Sequence, residues 1–366
     1  MKTYKHLYAQ VCDYDNLLDA YREARKGKRD KAQVYRFEFA FESELLRLQE
    51  ELVNQTYQPG PYTNFRLDDR KRRLVSAASF RDRVAHHALC NIIEPLFERK
   101  FIYDSYANRI GKGTHRALDC AQQFSRHYRY VLQGDIVQCF PSIDHAILRG
   151  ILARAIADAR VLWLIDQILA GGAYIHANHY VMQWFPGDAL FAIQRPRGLP
   201  IGNLTSQFWA NVYLNELDQF VKRVLKCVAY LRYVDDFLLF ADDKRQLWMW
   251  KQRIVEFLQS LRLVAHPRKT VVYPVADGIP FLGWRVFPTH RRLKSENVHD
   301  FARRFREQIA AYQCGELSLD DLTASTCGWL AHAEHGDTYR LRTRLFQVNL
   351  AKACPERSEG SEPAQG

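Results

Sequence analysis

Four Asp-Asp pairs punctuate the chain, and one of them sits where two carboxylates are costly. Asp68/Asp69 lies among basic residues, Asp242/Asp243 in the polar string ADDKRQ, and Asp320/Asp321 at an expected helix start, where acids suit the helix dipole. Asp235/Asp236 instead stands between LRYV and FLLF. Two short apolar runs split by a polar pair read as a hairpin, which presents both carboxylates at a tip carried by buried strands. Like charges held there repel and resist ionisation unless a cation compensates them, and a divalent metal is the economical answer. The bland alternative is a tight turn that happens to use Asp. A third carboxylate, Asp135, ends the apolar strand candidate YVLQGDI. Two-metal phosphoryl chemistry needs carboxylates on neighbouring strands, with ions about 3.5 to 4 Å apart stabilising both the attacking and the leaving oxygen.

The elements that must carry these residues are legible from periodicity. Between residues 13 and 55, Leu17, Leu18 and Tyr21, then Phe37, Phe41, Leu45, Leu48 and Leu52, recur at three and four and predict a helical N-terminal layer. QTYQPGPYTNF is turn-rich, and FRLDDRKRRLVSAASF reads as a hairpin with charges at its bend. DRVAHHALCNIIEPLFERKF is amphipathic and predicts a helix up to Pro95, with His86/His87 divided between core and surface. GTHRALDCAQQFSRHY is a further helix, YVLQGDIVQCF a β-like run, and DHAILRGILARAIADARVLWLIDQILA one or two helices. RPRGLPIGNLTSQ reads as a loop before a helix whose stripe runs from Phe208 to Val224. A helix over about 244–262, strand-like TVVYPV and FLGWRVF, and a helical stretch over about 296–350 follow. The Trp248/Trp250 pair reads as packing. CPERSEGSEPAQG is low-complexity and predicts a disordered tail.

The 366 residues carry 52 Lys and Arg against 41 Asp and Glu, a formal net charge of +11. Hydrophobic residues make up 47% and charged residues 25%, which excludes a disordered or collagen-like chain. The excess is concentrated at Arg22–Lys31, Arg66–Arg83 and Arg285–Arg306. Any one basic run reads as a solvated face; three interleaved with aromatics point to nucleic acid. The eight cysteines are scattered with no Cys-x-x-Cys pair and read as reduced packing thiols. The sequence shows no signal peptide and no apolar run near the roughly 20 residues of a membrane span, so a soluble cytoplasmic protein without membrane contact is expected. His176/His179 in HANH and His332/His335 in HAEH have metal-like spacing but no accompanying ligands, and read as surface or hydrogen-bonded histidines.

Five ordered blocks give a resemblance: KRRLV at 71–75, GDIVQCFPSIDH at 134–145, RGLPIGNLTSQ at 197–207, YVDD at 233–236 and FLGW at 281–284. Together they resemble a reverse transcriptase, over roughly residues 60–290. The resemblance implies an α+β right-hand polymerase fold: an N-terminal helical extension over 1–55, fingers and a palm with a small antiparallel sheet over 56–285, a helical thumb over 286–350, and the tail 351–366. It further implies that Asp135, Asp235 and Asp236, with the Ile136 carbonyl, hold two Mg2+ ions. Lys71 and Arg73 would neutralise the incoming triphosphate. Phe140 would pack under the sugar and exclude a 2′-hydroxyl, making the product DNA. Lys269 in HPRKT would act as general acid toward the leaving pyrophosphate. Phe281, Leu282 and Gly283 match the primer-grip turn. The expected partners are an RNA template, gripped through phosphates and 2′-hydroxyls, a DNA or RNA primer, and dNTPs.

One block departs from the common pattern. Most reverse transcriptases have Gln where this chain has Ile201, before Gly202, and Pro where it has Gln207. The form IGNLTSQ, with SYANRIGKGTH at 105–115, resembles the enzymes of diversity-generating retroelements. That implies error-prone cDNA synthesis, loosest opposite adenine, and a small basic accessory protein as partner. A β-branched apolar side chain in place of an amide removes a contact to the nucleotide, in keeping with looser discrimination. The alternatives are a stand-alone defence-associated, retron-like or group II intron-like reverse transcriptase, or a catalytically silent RNA-binding module. The group II form is disfavoured by the roughly 60 structured residues expected after the palm; the silent module is disfavoured by the presence of all three Asp.

Overall fold

The N-terminal stretch becomes helical wherever its apolar residues recur at three and four. In the computed structural model, which describes residues 3–67, 73–177 and 180–353, one turn, α1 (Tyr8–Val11), leads to α2 (Tyr14–Arg25), α3 (Ala32–Phe39) and α4 (Phe41–Val53). Asp13 caps α2 by accepting the Asp15 N–H at 3.0 Å. Leu17, Leu45, Leu48 and Leu52 are fully buried, as an amphipathic stripe requires. The antiparallel hairpin β1 (Thr63–Leu67) and β2 (Arg73–Ala77) follows, with Phe65 opposite Val75.

Helix α5 (Phe80–Glu98) starts at Ser79, whose hydroxyl accepts the Asp82 N–H at 3.1 Å. It continues through Pro95, where the sequence predicted a stop. The proline removes one backbone donor, but it falls in the last turn between Ile93 and Phe97, both buried, whose packing outweighs one lost bond. Next come α6 (Thr114–His127), β3 (Tyr130–Gly134), α7 (Cys139–Ser142), α8 (His145–Ala153), α9 (Ala159–Gly172) and α10 (Leu204–Gln219). The β-like run ends sooner than expected: β3 stops at Gly134, and Gln138, at a left-handed φ of 45°, precedes α7. Then follow β4 (Tyr230–Tyr233), β5 (Asp236–Ala241), α11 (Lys244–Ser260), β6 (Val271–Pro274), β7 (Ile279–Phe281), β8 (Trp284–Val286) and β9 (Arg291–Leu293). FLGWRVF is therefore two strands and a turn. Helices α12 (Ser295–Gln313), α13 (Leu319–Ala333) and α14 (Tyr339–Ala353) complete the described chain. Because α14 reaches Ala353, the first three residues of the expected tail are helical; the rest lies outside the described residues.

The chain divides into two compact units. One comprises residues up to Gly113 together with Leu132–Val272; the other comprises Thr114–Val131 and everything from Tyr273 onward. Helix α6 lies against β8, and β7 pairs with β8. The four-stranded sheet has the order β4-β5-β3-β6. β4 and β5 are antiparallel, with Tyr233 opposite Asp236, and α5 packs against α2 and α10. On α11 Trp248 is 49% exposed and Trp250 partly buried, so the expected packing holds for Trp250 more than for Trp248.

In the second unit β7, β8 and β9 form an antiparallel sheet. The Phe301 ring stacks on Trp329 at 4.0 Å between centroids, and Phe346 stands edge-on to both. Of the HAEH histidines, His335 is exposed, as expected, and His332 is half-buried. His335 stacks on His115 at 3.4 Å and His332 lies 5.2 Å from the Trp284 ring. Burial, with repulsion from His335 and His332, holds His115 below its ordinary pKa. Cys12, Cys90, Cys120, Cys139 and Cys227 are buried, while Cys314 and Cys327 are exposed. Among the described residues no helix is long and apolar enough to cross a membrane.

Candidate active site

The turn between β4 and β5 consists of Val234 and Asp235, with Val234 at a φ of 54°. A β-branched residue in the left-handed region is strained, and buried groups around it hold it there. Arg232, fully buried in β4, donates from Nη1 to the Val234 carbonyl at 3.0 Å. The same guanidinium grips Asp218 of α10 through two bonds of 2.8 and 2.7 Å, and the Tyr230 hydroxyl donates to Asp218 at 2.7 Å. Burial opposes the charge on Arg232, but Asp218 outweighs it and the net shift is upward. Read as one apolar run, LRYV hides both residues. A charged residue inside such a run was the available signal, since a buried cation demands a partner.

Gly134 aligns the second strand. A Cβ at this position would overlap the ring of Phe237, so β3 meets β5 as closely as it does only because residue 134 has no side chain. Asp135 follows that glycine and Asp236 precedes that phenylalanine, which brings the two carboxylate-bearing strand ends together. Gly134→Ala is expected to destabilise the protein by about 1–3 kcal/mol, the usual range for overpacking. Pairing it with Phe237→Leu should recover part of the loss in a denaturant titration; equal melting of wild type and Gly134→Ala would refute the contact.

Beyond Asp135 the chain is clamped by residues 264–266. Ile136 pairs antiparallel with Ala265. The bonds on either side run from Val137 N–H to the Val264 carbonyl at 2.8 Å and from His266 N–H to the Asp135 carbonyl at 2.7 Å. In this pairing the polar groups of Ile136 itself turn away from residue 265. The Asp135 carboxylate, in a residue only 9% exposed, forms an ion pair with the half-exposed Lys269. Cys139 lies within the field of both carboxylate positions. Burial pushes its thiol well above the ordinary range, Asp235 and Asp135 add to the rise, and Arg232 opposes it.

The donors assembled here are hard oxygens, the type Mg2+ takes. Among the described residues no three His, Cys, Asp or Glu side chains form a ready-made metal cage. Mg2+ does not need one, since it binds through one or two carboxylates with water and phosphate completing its shell. The donor set therefore fits the ion.

A loop over 196–203 ties two further regions to this centre. Its Ile201 carbonyl accepts the Ser76 N–H of β2 at 2.9 Å, and Asn203 bonds the Ser76 carbonyl at 2.9 Å and the Ala78 N–H at 3.2 Å. At its other end, Leu199 N–H donates to the Phe140 carbonyl and Gly198 N–H to the Ile143 carbonyl, both at 2.9 Å. Gly202, at a φ of 110°, passes so close to Val75 that a Cβ would crowd it. Phe140, Ile201 and Gln207 are each partly buried, and Gln207 lies in the first turn of α10, where the sequence predicted loop.

His176, the first His of HANH, is buried and its Nε2 lies 2.9 Å from the Leu199 carbonyl; His179 lies outside the described residues. So does Lys71, while Arg73 is described only as the backbone partner of Leu67. Phe281, Leu282 and Gly283 belong to the second unit. Leu282 and Gly283, at φ of 47° and 85°, form a two-residue hairpin turn. The Gly283 carbonyl accepts from Lys294 N–H and from Asn297 Nδ2, both at 3.1 Å.

Residues 66–286 match the family described as reverse transcriptase (RNA-dependent DNA polymerase). Protein YkfC of Escherichia coli K12 is 27% identical over 316 residues, 73% of this chain and 79% of that protein. The group II intron-encoded protein LtrA of Lactococcus lactis is 28% identical over 183 residues, 49% of this chain and 28% of that protein. An uncharacterized 91 kDa protein in the cob intron of Schizosaccharomyces pombe is 30% identical over 153 residues, 42% of this chain and 17% of that protein. The chain thus spans less than a third of either intron protein.

Proposed function

Because this chain belongs to the reverse transcriptase (RNA-dependent DNA polymerase) family, we propose that it extends a primer 3′-hydroxyl with dNTPs on an RNA template, at a centre made by Asp135, Asp235 and Asp236. The observation that carries this reading is the contact of Gly134 with Phe237, since Asp135 and Asp236 flank it on adjacent strands. The three carboxylates and the Ile136 carbonyl would hold Mg2+. Bound there, the ions supply a lowered pKa at the primer hydroxyl and charge compensation at the triphosphate. Lys269 would pass a proton to the departing pyrophosphate; its pairing with Asp135 keeps it within reach of the reacting groups. Phe140 would lie under the sugar, and Arg73 with Lys71 would meet the triphosphate. Phe281, Leu282 and Gly283 would grip the primer strand.

The block containing Ile201 supports error-prone synthesis of the diversity-generating kind, with a small basic accessory protein as partner. Ile201→Gln is then expected to raise fidelity opposite template adenine several-fold. Mg2+-dependent primer extension on RNA, followed by sequencing of the product, tests the activity and this role together. No extension would remove the polymerase reading, and an unchanged error spectrum in the variant would remove the role of Ile201. The named intron proteins among the relatives favour a second reading, an intron-type enzyme, for which the wild-type product should be accurate.

A further inference from the structure

Between α9 and α10 the chain leaves an unusual amount of apolar surface in water. Trp184 is 55% exposed, Phe191 77% and Leu190 83%. Within this segment lies a cavity of about 280 Å³, whose lining includes Pro141, Tyr174, Tyr180, Met182 and Arg197.

The cavity is built and not incidental. Its wall residue His176 is fixed by the bond to Leu199, and the Tyr174 hydroxyl donates to the Gln194 carbonyl at 2.9 Å. The Arg197 guanidinium lies 4.3 Å from the centroid of the Tyr180 ring and donates to the Ile193 carbonyl at 3.1 Å and to Met182 Sδ at 3.3 Å. Among the described residues those acceptors are neutral, so the charge of Arg197 stays available to a ligand. Pro141 adjoins Phe140, and Gln138 accepts the Val181 N–H at 3.2 Å, which ties the segment to the turn following Asp135.

We propose that this cavity receives one unpaired base of the single-stranded template. Aromatic walls stack on any base and an adjacent guanidinium meets the phosphate that follows it, a combination that favours single strands without reading sequence. Its volume lies at the lower edge of small-ligand pockets, roughly 300–1,000 Å³, which suits a base and not a whole nucleoside triphosphate. The inference rests on the polymerase reading above and deepens it.

The test uses the full chain with a primed RNA template carrying 5-iodouridine in its single-stranded overhang. Ultraviolet crosslinking and peptide mass spectrometry should place the adduct on Tyr174 or Tyr180. Tyr180→Leu should weaken binding of the overhang template on the order of tenfold or more, whereas Tyr180→Phe should bind like wild type and blunt duplex should be unaffected. Adducts elsewhere, or equal binding by Tyr180→Leu, would overturn the pocket. If wild type still extends primers in that case, the polymerase reading stands. Adducts at Tyr180 without any extension would support the pocket and overturn the polymerase reading instead.

Discussion

Alanine at Asp235 or Asp236 will lower nucleotide incorporation by about a thousandfold or more while leaving the melting curve close to that of wild type. Both residues are only partly buried and lie at the end of a hairpin whose strands are held by the backbone register Tyr230–Leu239 through Tyr233–Asp236. That register is a backbone pairing, which alanine preserves. On the proposed reading the substitution removes a carboxylate that holds Mg2+, and metal stabilisation of a phosphoryl transition state is worth several kcal/mol, with about 1.4 kcal/mol for each factor of ten. Incorporation of a single labelled dNTP, measured against thermal unfolding of the same preparation, separates lost chemistry from lost fold. Retained incorporation in either variant would place the chemistry elsewhere.

Arg232→Met will act in the opposite order, on the fold first. It leaves Asp218 buried at 0% exposure without its cation, and breaking a buried pair by removing one partner costs about 3–5 kcal/mol. Replacing both residues, as in Arg232→Met/Asp218→Leu, should restore much of that stability, because an apolar pair of similar volume carries no desolvation penalty. Incorporation should stay low in the double variant, since the Val234 carbonyl will still lack the donor that holds its left-handed turn. Urea titration and single-nucleotide incorporation read the two effects separately. Recovery of both together would show that Arg232 serves stability alone.

The Asp235/Asp236 hairpin was legible because its signal is local: two apolar runs, a polar pair, and the number of residues a turn needs. The helical layer before it was legible for the same reason. What could not be read depends on contacts made across long stretches of chain. Gly134 looks like any strand-end glycine until Phe237, over a hundred residues later, lies against it. Asp218 sits in NELDQ, which reads as a solvated helix face, and its burial becomes visible only with Arg232 opposite. Helix α6 reads as part of its sequence neighbourhood, whereas its Asp119 pairs with Arg291 and its Gln122 donates to the Phe287 carbonyl. Pro95 was misjudged because the rule for proline weighs one lost bond and not the packing of Ile93 and Phe97.

The loop over 196–203 is bonded to β2 at one end and to the Phe140–Ile143 turn at the other. A strap anchored at both ends moves as a single body, so a shift of the β1–β2 hairpin is transmitted to the residue beneath the proposed sugar position. Choice of base and choice of sugar, if each rests on one end of that strap, then cease to be independent thermodynamic quantities. They become one cooperative checkpoint, in which an error sensed at either anchor loosens the grip at the other.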